Sequence, residues 1–404
     1  MNFLFVSSEY PPETGNGGIA TYTRITAEEL ARQGHTVTVI AASTDTHELF
    51  IRSNGVTIHR IPSVPYPLPK MRYAFHLRKL LTFLFPHTLQ RLSRSIAVRN
   101  KVRYLLRRIP PFDIIEAPEC GAESLFIPRR AARSLVIRLH TPWQMISTLD
   151  NLKEAPGDRI LLPFLERLAI RRATAVSSPS HALATRMSTL WNLPMPTIIP
   201  NPMPAEPCPL TSGGGWIFTG RVERRKGVHH LISAYIRIYR EFNQVPPLTI
   251  IGRAYGTDSN GRDYATVIRQ KIISSEIKTA IRWIDHLPHD MVTEHLCRSS
   301  VAFFPSLWEN FPYACLEAMS CGCAVIASHC GGFPEIIDDE INGILVPVDS
   351  SHALYVAMKR FIDQPQIAVR LGSTARQRVE ELCNPRRICN EMLAFYRSTL
   401  EVHP

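Results

Sequence analysis

Two glutamates, Glu309 and Glu317, stand in a stretch whose surroundings suit the recognition of sugar hydroxyls. An ionised carboxylate accepts two hydrogen bonds, so each can hold a vicinal diol. The spacing alone says little, since 35 acidic residues in 404 give about three such pairs by chance. Context decides. Pro312 can open a helix and Gly322 can close it, which puts Glu309 in the loop leading into the helix and Glu317 on the helix itself. Residues 324–328 then read as a short buried strand that delivers Gly331 and Gly332 to the place where open α/β sheets bind ligands. A glycosidase acid and base pair fits poorly: a helical rise over this spacing is about 12 Å, and such pairs need roughly 5–9.5 Å.

A second chemical signal precedes the first. The loop Gly220-Arg221-Val-Glu-Arg-Arg-Lys226-Gly227 joins a strand at 216–219 to a helix with apolar residues at Val228, Leu231, Ile232, Tyr235, Ile238, Tyr239 and Phe242. Arg221 offers a planar fork, Lys226 a point charge and the helix N-terminus a partial positive charge, a combination suited to a diphosphate. Arg224 and Arg225 lie between them and are expected to be solvated. The loop is not a Walker loop, and no D-x-D motif occurs in the chain.

The glutamate pair resembles the E-x7-E signature of the family 4 retaining glycosyltransferases, and the basic loop is similar to that family's G-R-x4-K-G pattern. The resemblance implies an α/β chain of GT-B fold, two Rossmann-like doubly wound domains facing a central cleft. It implies that Glu309 meets the donor sugar, Glu317 the nucleotide ribose, and Arg221 and Lys226 the donor phosphates. The family often has glycine where this chain has Pro312, which offers no N–H to a sugar hydroxyl. The Asn310 side chain is expected to substitute, so Asn310, Phe311 and Pro312 join the substrate-binding residues. Leu287, after the apolar run Ile281-Arg-Trp-Ile, falls near the family's base-cradling loop. His140, just past a strand at 134–139, matches a family histidine that contacts donor sugar or acceptor, and Gly17 and Gly18 match the loop that touches diphosphate and acceptor.

On this resemblance the chain is expected to be a retaining, metal-independent glycosyltransferase of the hexosyltransferase type. A nucleotide-diphosphate sugar is the donor, a glycan, a lipid-linked molecule or a small molecule is the acceptor, and no separate cofactor and no metal ligand are expected. Polysaccharide or lipopolysaccharide biosynthesis is the implied setting. Two other classes stay open: a non-catalytic, membrane-associated nucleotide-sugar-binding protein, and a GT-B-like sugar-nucleotide isomerase.

The elements that must position these residues read as two domains of about 200 residues each. The first spans 1–202: apolar strands at 2–8 and 36–42 enclose a helix from about Ile19 that Gly34 closes, and strands at 113–116, 134–139, 175–178 and 197–200 continue the rhythm. A Pro- and Gly-rich hinge covers 203–215, a nucleotide-sugar-binding domain covers 216–383, and an amphipathic tail at 384–404 is expected to cross back to the first domain. The start lacks the basic flank and cleavage site of a signal peptide, and no apolar run is long enough to span a bilayer.

Nine cysteines without framework spacing suit reduced thiols and a cytoplasmic setting. Cys315, Cys321, Cys323 and Cys330, with His329 alongside, read as buried structural thiols rather than a zinc site. The net charge of +11 is uneven: no acid occurs between Glu48 and Asp113, while basic residues from Lys70 to Arg108 alternate with Phe and Leu. That stretch is expected to meet anionic lipid, making the protein peripheral on the inner face of the membrane. Nothing resembles a nucleic-acid-binding motif, so nucleic acid is not expected as a partner.

Overall fold

A computed structural model describes residues 1–15, 17–63, 75–150, 152–206, 208, 214–258 and 261–401. They cluster into two compact units. The first holds residues 1–147, 153–202 and 385–404, and the second holds 148–152 and 203–384.

Apolar runs too short for helices become strands because a parallel sheet buries both of their faces. The first unit has β1 (Asn2–Val6), β2 (Thr36–Ala42), β3 (Leu49–Ser53), β4 (Val56–Ile61), β5 (Phe112–Pro118), β6 (Ala132–Arg138), β7 (Ala175–Ser178) and β8 (Thr197–Ile198). They lie in the order β3-β4-β2-β1-β5-β6-β7-β8, parallel throughout except for the β3–β4 hairpin at the edge. Its core is the apolar alternation of the central strands, including Phe3, Phe5, Val39, Ile114, Ile115, Val136 and Ile137. Its helices begin with α1 (Gly18–Arg32), α2 (Phe75–Leu84), α3 (Pro86–Leu105), α4 (Trp143–Leu149), α5 (Asp158–Arg171) and α6 (His181–Trp191).

The second unit has β9 (Gly215–Thr219), β10 (Leu248–Ile251), β11 (Ile281–Ile284), β12 (Ser299–Phe304), β13 (Ala324–Ser328) and β14 (Ile344–Val346), all parallel in the order β11-β10-β9-β12-β13-β14. Its helices are α7 (Val228–Glu241), α8 (Tyr264–Ile273), α9 (His289–Cys297), α10 (Tyr313–Ser320), α11 (Phe333–Ile336), α12 (Ser351–Asp363) and α13 (Gln366–Cys383). Leu231, Tyr235 and Ile238 of α7 pack with Leu354, Met358 and Phe361 of α12 over Trp216, Phe303 and Ile326 of the strands. In both sheets the chain winds outward and then returns to the other side. The reversal falls between β1 and β5 in the first unit and between β9 and β12 in the second. The carboxyl ends of the strands flanking such a reversal open a crevice where doubly wound sheets bind ligands.

The last helix, α14 (Pro385–Glu401), belongs to the first unit. Tyr396 on it donates to Glu116 Oε2 at 2.6 Å, and Tyr22 of α1 donates to Glu116 Oε1 at 2.8 Å. Burial pushes the Glu116 carboxyl above its ordinary range, against the pull of these two hydroxyls and of Arg138. The amphipathic face of the tail thus carries a polar anchor within its apolar contacts Ile388, Met392 and Leu393.

Several expectations need correction. Pro312 is the residue before α10 rather than its first turn, since its ψ of 117° is extended and its missing N–H is harmless there. The basic stretch is not one solvated face: on α3, Arg94 is buried and donates to Glu123 at 3.1 Å, and Lys101 is buried against Glu48. The partners of these cations lie outside the acid-free stretch in sequence, so counting acids within it could not find them. Lys70 and Arg72 lie outside the described residues, as do 207 and 209–213 of the Pro- and Gly-rich connector. The thiols are not all reduced: Cys208 and Cys297 form a disulfide, and Cys321 gathers with that pair.

Replacing Tyr396 by Phe leaves a buried carboxyl oxygen short of its donor, so Tyr396→Phe is expected to destabilise the first unit by about 1–3 kcal/mol. Urea denaturation followed by far-UV circular dichroism checks this, and an unchanged midpoint would remove the anchor from the account.

Candidate functional site

In the second unit the loops after β9 and β12 flank the reversal of strand order, and their backbones touch. Gly227, with φ +67°, has no room for a side chain, because a Cβ there would lie 1.9 Å from the Pro305 carbonyl. Leu307 donates its N–H to the Arg225 carbonyl at 2.7 Å, which locks the two loops together. Gly331 approaches from the loop after β13, where φ is +54° and a Cβ would lie 1.9 Å from the Glu309 carbonyl. Gly332 donates to that carbonyl at 2.9 Å. Three loops therefore fix the backbone of Glu309.

Its side chain is fixed by charge. Glu309 Oε1 takes the Lys226 ammonium, the Arg225 guanidinium at 3.3 Å and the Ser306 hydroxyl at 3.1 Å. Burial pushes this carboxyl up, but Lys226 and Arg225 outweigh it and hold Glu309 below its ordinary range, hence ionised. Arg225 is itself buried among Glu309, Glu223 and Asp150, whose Oδ1 takes the Arg225 backbone N–H at 3.2 Å. Burial opposes its charge and these three carboxylates overcome that, so its pKa stands above the ordinary arginine value. The expectation that Arg225 is solvated is wrong; of the two, Arg224 is the exposed one. Arg225, Glu223, Asp150 and Ser306 are site residues that motif reading missed, because a basic tripeptide carries no mark of which member turns inward.

The structure brings Arg221 to the same network by way of Glu223 at 3.4 Å, with half its side chain exposed and its guanidinium 5.0 Å over the Tyr255 ring. Glu317, on α10, accepts from or is paired with His289 Nε2 at 3.1 Å. Asn310 accepts the Trp308 indole N–H at 2.8 Å, Phe311 is buried, and Leu287 lies half-buried in the connection from β11 to α9. Pro312 immediately precedes α10.

The first unit gathers a different set. Gly17 precedes α1 and Gly18 begins it. A Cβ on Gly17 would lie 2.9 Å from Glu9 Oε2, so this glycine loop wraps a carboxylate. His140 follows β6, donates its backbone N–H to both oxygens of Glu119 at 3.0 and 2.8 Å, and sets its ring edge-on to Tyr22 at 5.4 Å. Burial, aided by Arg138, lowers the His140 pKa to about 3, so its ring is neutral. Glu166 of α5 accepts the N–H of Trp143 at the far end of that loop and the N–H of Gly121 in the connection after β5. Burial and the nearby Glu166 push Glu119 up to about 8 against its backbone donors, and burial pushes Glu166 up to about 7. Sequence reading passed over Glu9, Glu119 and Glu166, each an isolated acid with no motif around it.

Residues 216–378 match the model of the glycosyl transferases group 1, and residues 17–202 match that of a glycosyl transferase 4-like domain. The α-maltose-1-phosphate synthase of Mycobacterium tuberculosis is 31% identical over 188 residues, which cover 45% of this chain and 47% of that protein. The chain thus spans about half the length of that curated relative. Among solved structures, the sucrose-phosphate synthase of Thermosynechococcus elongatus matches with a TM-score of 0.75 at 20% identity, over 99% of each chain. An Anabaena protein solved in complex with UDP-glucose matches with a TM-score of 0.67 at 18% identity, over 98% of this chain and 100% of that one.

The buried carboxyls of the first unit carry a pH dependence. A carboxyl whose pKa is raised on folding stabilises the fold fully below its unfolded value of 4.5, and that stability is lost as pH rises through about 8 for Glu119. The melting temperature is therefore expected to fall between these pH values, and to fall less in Glu119→Gln. Differential scanning fluorimetry across that window checks this; parallel curves for the two proteins would show that Glu119 is ionised at no cost.

Proposed function

The chain belongs to the group 1, family 4 glycosyl transferases of GT-B fold, and from that premise we propose that it moves a sugar from a nucleotide-diphosphate sugar to an acceptor hydroxyl with retention of anomeric configuration. The observation that carries this reading is the convergence of Lys226 and Arg225 on Glu309 at the strand-order reversal, beside the N-terminus of α7. Glu309 is held ionised by contacts on Oε1, and among the described residues its Oε2 is the oxygen that suits a donor-sugar hydroxyl.

The anomeric carbon–oxygen bond to the diphosphate breaks, the bond to the acceptor oxygen forms, and the acceptor proton passes to the leaving phosphate. Negative charge grows on the diphosphate as it leaves, so cations already in place stabilise the transition state more than the ground state. Lys226 and the half-exposed Arg221 supply that charge. No step calls for a metal. Glu317 suits the ribose, with His289 fixing its carboxylate, and Leu287 and the residues Asn310 to Pro312 suit the base and sugar walls. The UDP-glucose held by the Anabaena relative supports this donor class.

The acceptor falls to the first unit. Its glycine loop is lined by Glu9, whose carboxylate suits hydroxyls, so Gly17 and Gly18 are assigned to a hydroxyl-bearing acceptor. The neutral His140 ring positions the reacting groups and is no cationic acid.

Lys226→Ala is expected to lower turnover on the order of 10²–10³-fold, with turnover of the parent enzyme unchanged in excess EDTA. Radiolabelled transfer from a panel of nucleotide sugars measures both. Near-normal turnover in the variant would withdraw the phosphate assignment, and loss in EDTA restored by Mg²⁺ would withdraw metal independence.

A contact with an anionic bilayer is the second reading, and its observation lies on α5 rather than α3. Ile160, Phe164 and Leu168 stand 77%, 57% and 37% exposed at helical spacing, with Arg159 and Arg171 exposed beside them. Leu80 and Phe83 of α2 are 52% and 73% exposed, and the end of α2 bonds to Gly157 at the start of α5. Apolar side chains rimmed by Arg and Lys79 suit a lipid surface, at about 1 kcal/mol per basic residue. Flotation with phosphatidylglycerol vesicles is expected to recover the parent protein with lipid and to lose Ile160→Ser/Phe164→Ser; equal recovery of both would remove the membrane.

A further inference from the structure

We propose that His229, His230 and Asp349 form a binding site for a borderline transition-metal ion of the Zn²⁺ class, apart from the sugar-transfer chemistry. Each offers one ligand atom, and the three atoms lie within 4.8 Å of one another. The histidines occupy the first turn of α7, and Asp349 lies in the loop after β14, just before the residue that caps α12. His230 Nε2 stands 2.6 Å from Asp349 Oδ1, and the two imidazole rings are 3.9 Å apart.

Two features make this more than an ion pair. Tyr264 of α8 takes both the backbone N–H of His229, at 3.2 Å, and the ring Nδ1, at 2.7 Å. When the ring takes the tautomer with hydrogen on Nδ1, that hydrogen goes to the phenol oxygen and the lone pair on Nε2 is left for a metal. That is the outer contact by which metal-binding histidines are usually oriented. Two imidazole nitrogens and one carboxylate oxygen match the donors of a three-residue zinc site with a fourth position for water. Mg²⁺ and Ca²⁺ want oxygen ligands and find one carboxylate here.

Arg224 and Lys271 lie close enough to oppose a cation, as does the N-terminus of α7. Coordination must therefore come from the imidazoles and not from charge. Binding would widen the His230–Asp349 contact and draw in His229, tying α7 to the loop that starts α12. These helices already pack on each other in the core, so the metal would brace the scaffold behind the phosphate loop.

The test uses the full chain, stripped with chelator and titrated with Co²⁺ for visible d–d absorption and with Zn²⁺ for calorimetry and melting temperature. One Zn²⁺ per chain is expected, with a tetrahedral Co²⁺ spectrum and a rise in melting temperature. His230→Gln and Asp349→Asn each weaken binding at least tenfold, and Tyr264→Phe weakens it by about 10-fold or more through the outer contact. Metal-free circular dichroism of each variant verifies the fold. Two results overturn the proposal: no binding by the parent protein, which leaves an ordinary His–Asp pair, or binding retained in His229→Gln/His230→Gln with a thiolate charge-transfer band, which assigns the ion to free cysteines elsewhere in the chain. Sugar transfer is expected to proceed in EDTA whatever this result, so failure here leaves the proposed function standing.

Discussion

Everything at the candidate site depends on keeping one buried carboxylate ionised. Glu309 lies buried in the loop after β12, where removal from water costs an isolated charge several kcal/mol. Lys226 and Arg225 offset that cost, and Arg225 needs Glu223 and Asp150 in turn. The result is a closed network in which no single charge can be deleted without stranding another. That network determines where the loops after β9 and β12 must lie. Their backbones approach so closely that Gly227 and Gly331 cannot carry side chains.

The first unit handles buried acids in the opposite way. Glu119 and Glu166 take backbone N–H groups as their hydrogen-bond donors; Arg91 pulls on Glu166 from farther off, burial outweighs it, and the two pKa values rise to about 8 and 7. A carboxyl in that state is a hinge pin for the His140 loop, not a charged ligand. The same residue type therefore does two jobs on related sheets, and the difference lies in whether a guanidinium or ammonium reaches it. Glu123 shows the cationic solution within the first unit, paired with the buried Arg94.

Surface chemistry follows the same logic of partners. The basic stretch around α3 loses Arg94 and Lys101 to internal ion pairs. By contrast α5, with an unremarkable local charge, exposes Ile160 and Phe164 because its opposite face, with Leu162, Leu165 and Ala169, is the one that packs. Charge density along a sequence measures how many cations exist. It does not measure how many face solvent.

The sequence by itself determined the local order: strands at 36–42, 175–178 and 324–328, a helix ending at Gly34, the apolar face of α7, and the motif positions Arg221, Lys226, Glu309 and Glu317. These are legible because periodicity, capping and loop residues act over a few neighbours. Tertiary structure alone decided that Arg225 turns inward while Arg224 stays out, that Lys226 pairs with Glu309 across 83 residues, that Glu119 serves the His140 backbone, and that Cys208 finds Cys297. Each of those outcomes is a desolvated group finding a partner far along the chain. Which partner it finds depends on the order of strands in the sheet, a quantity that no local pattern of residues contains.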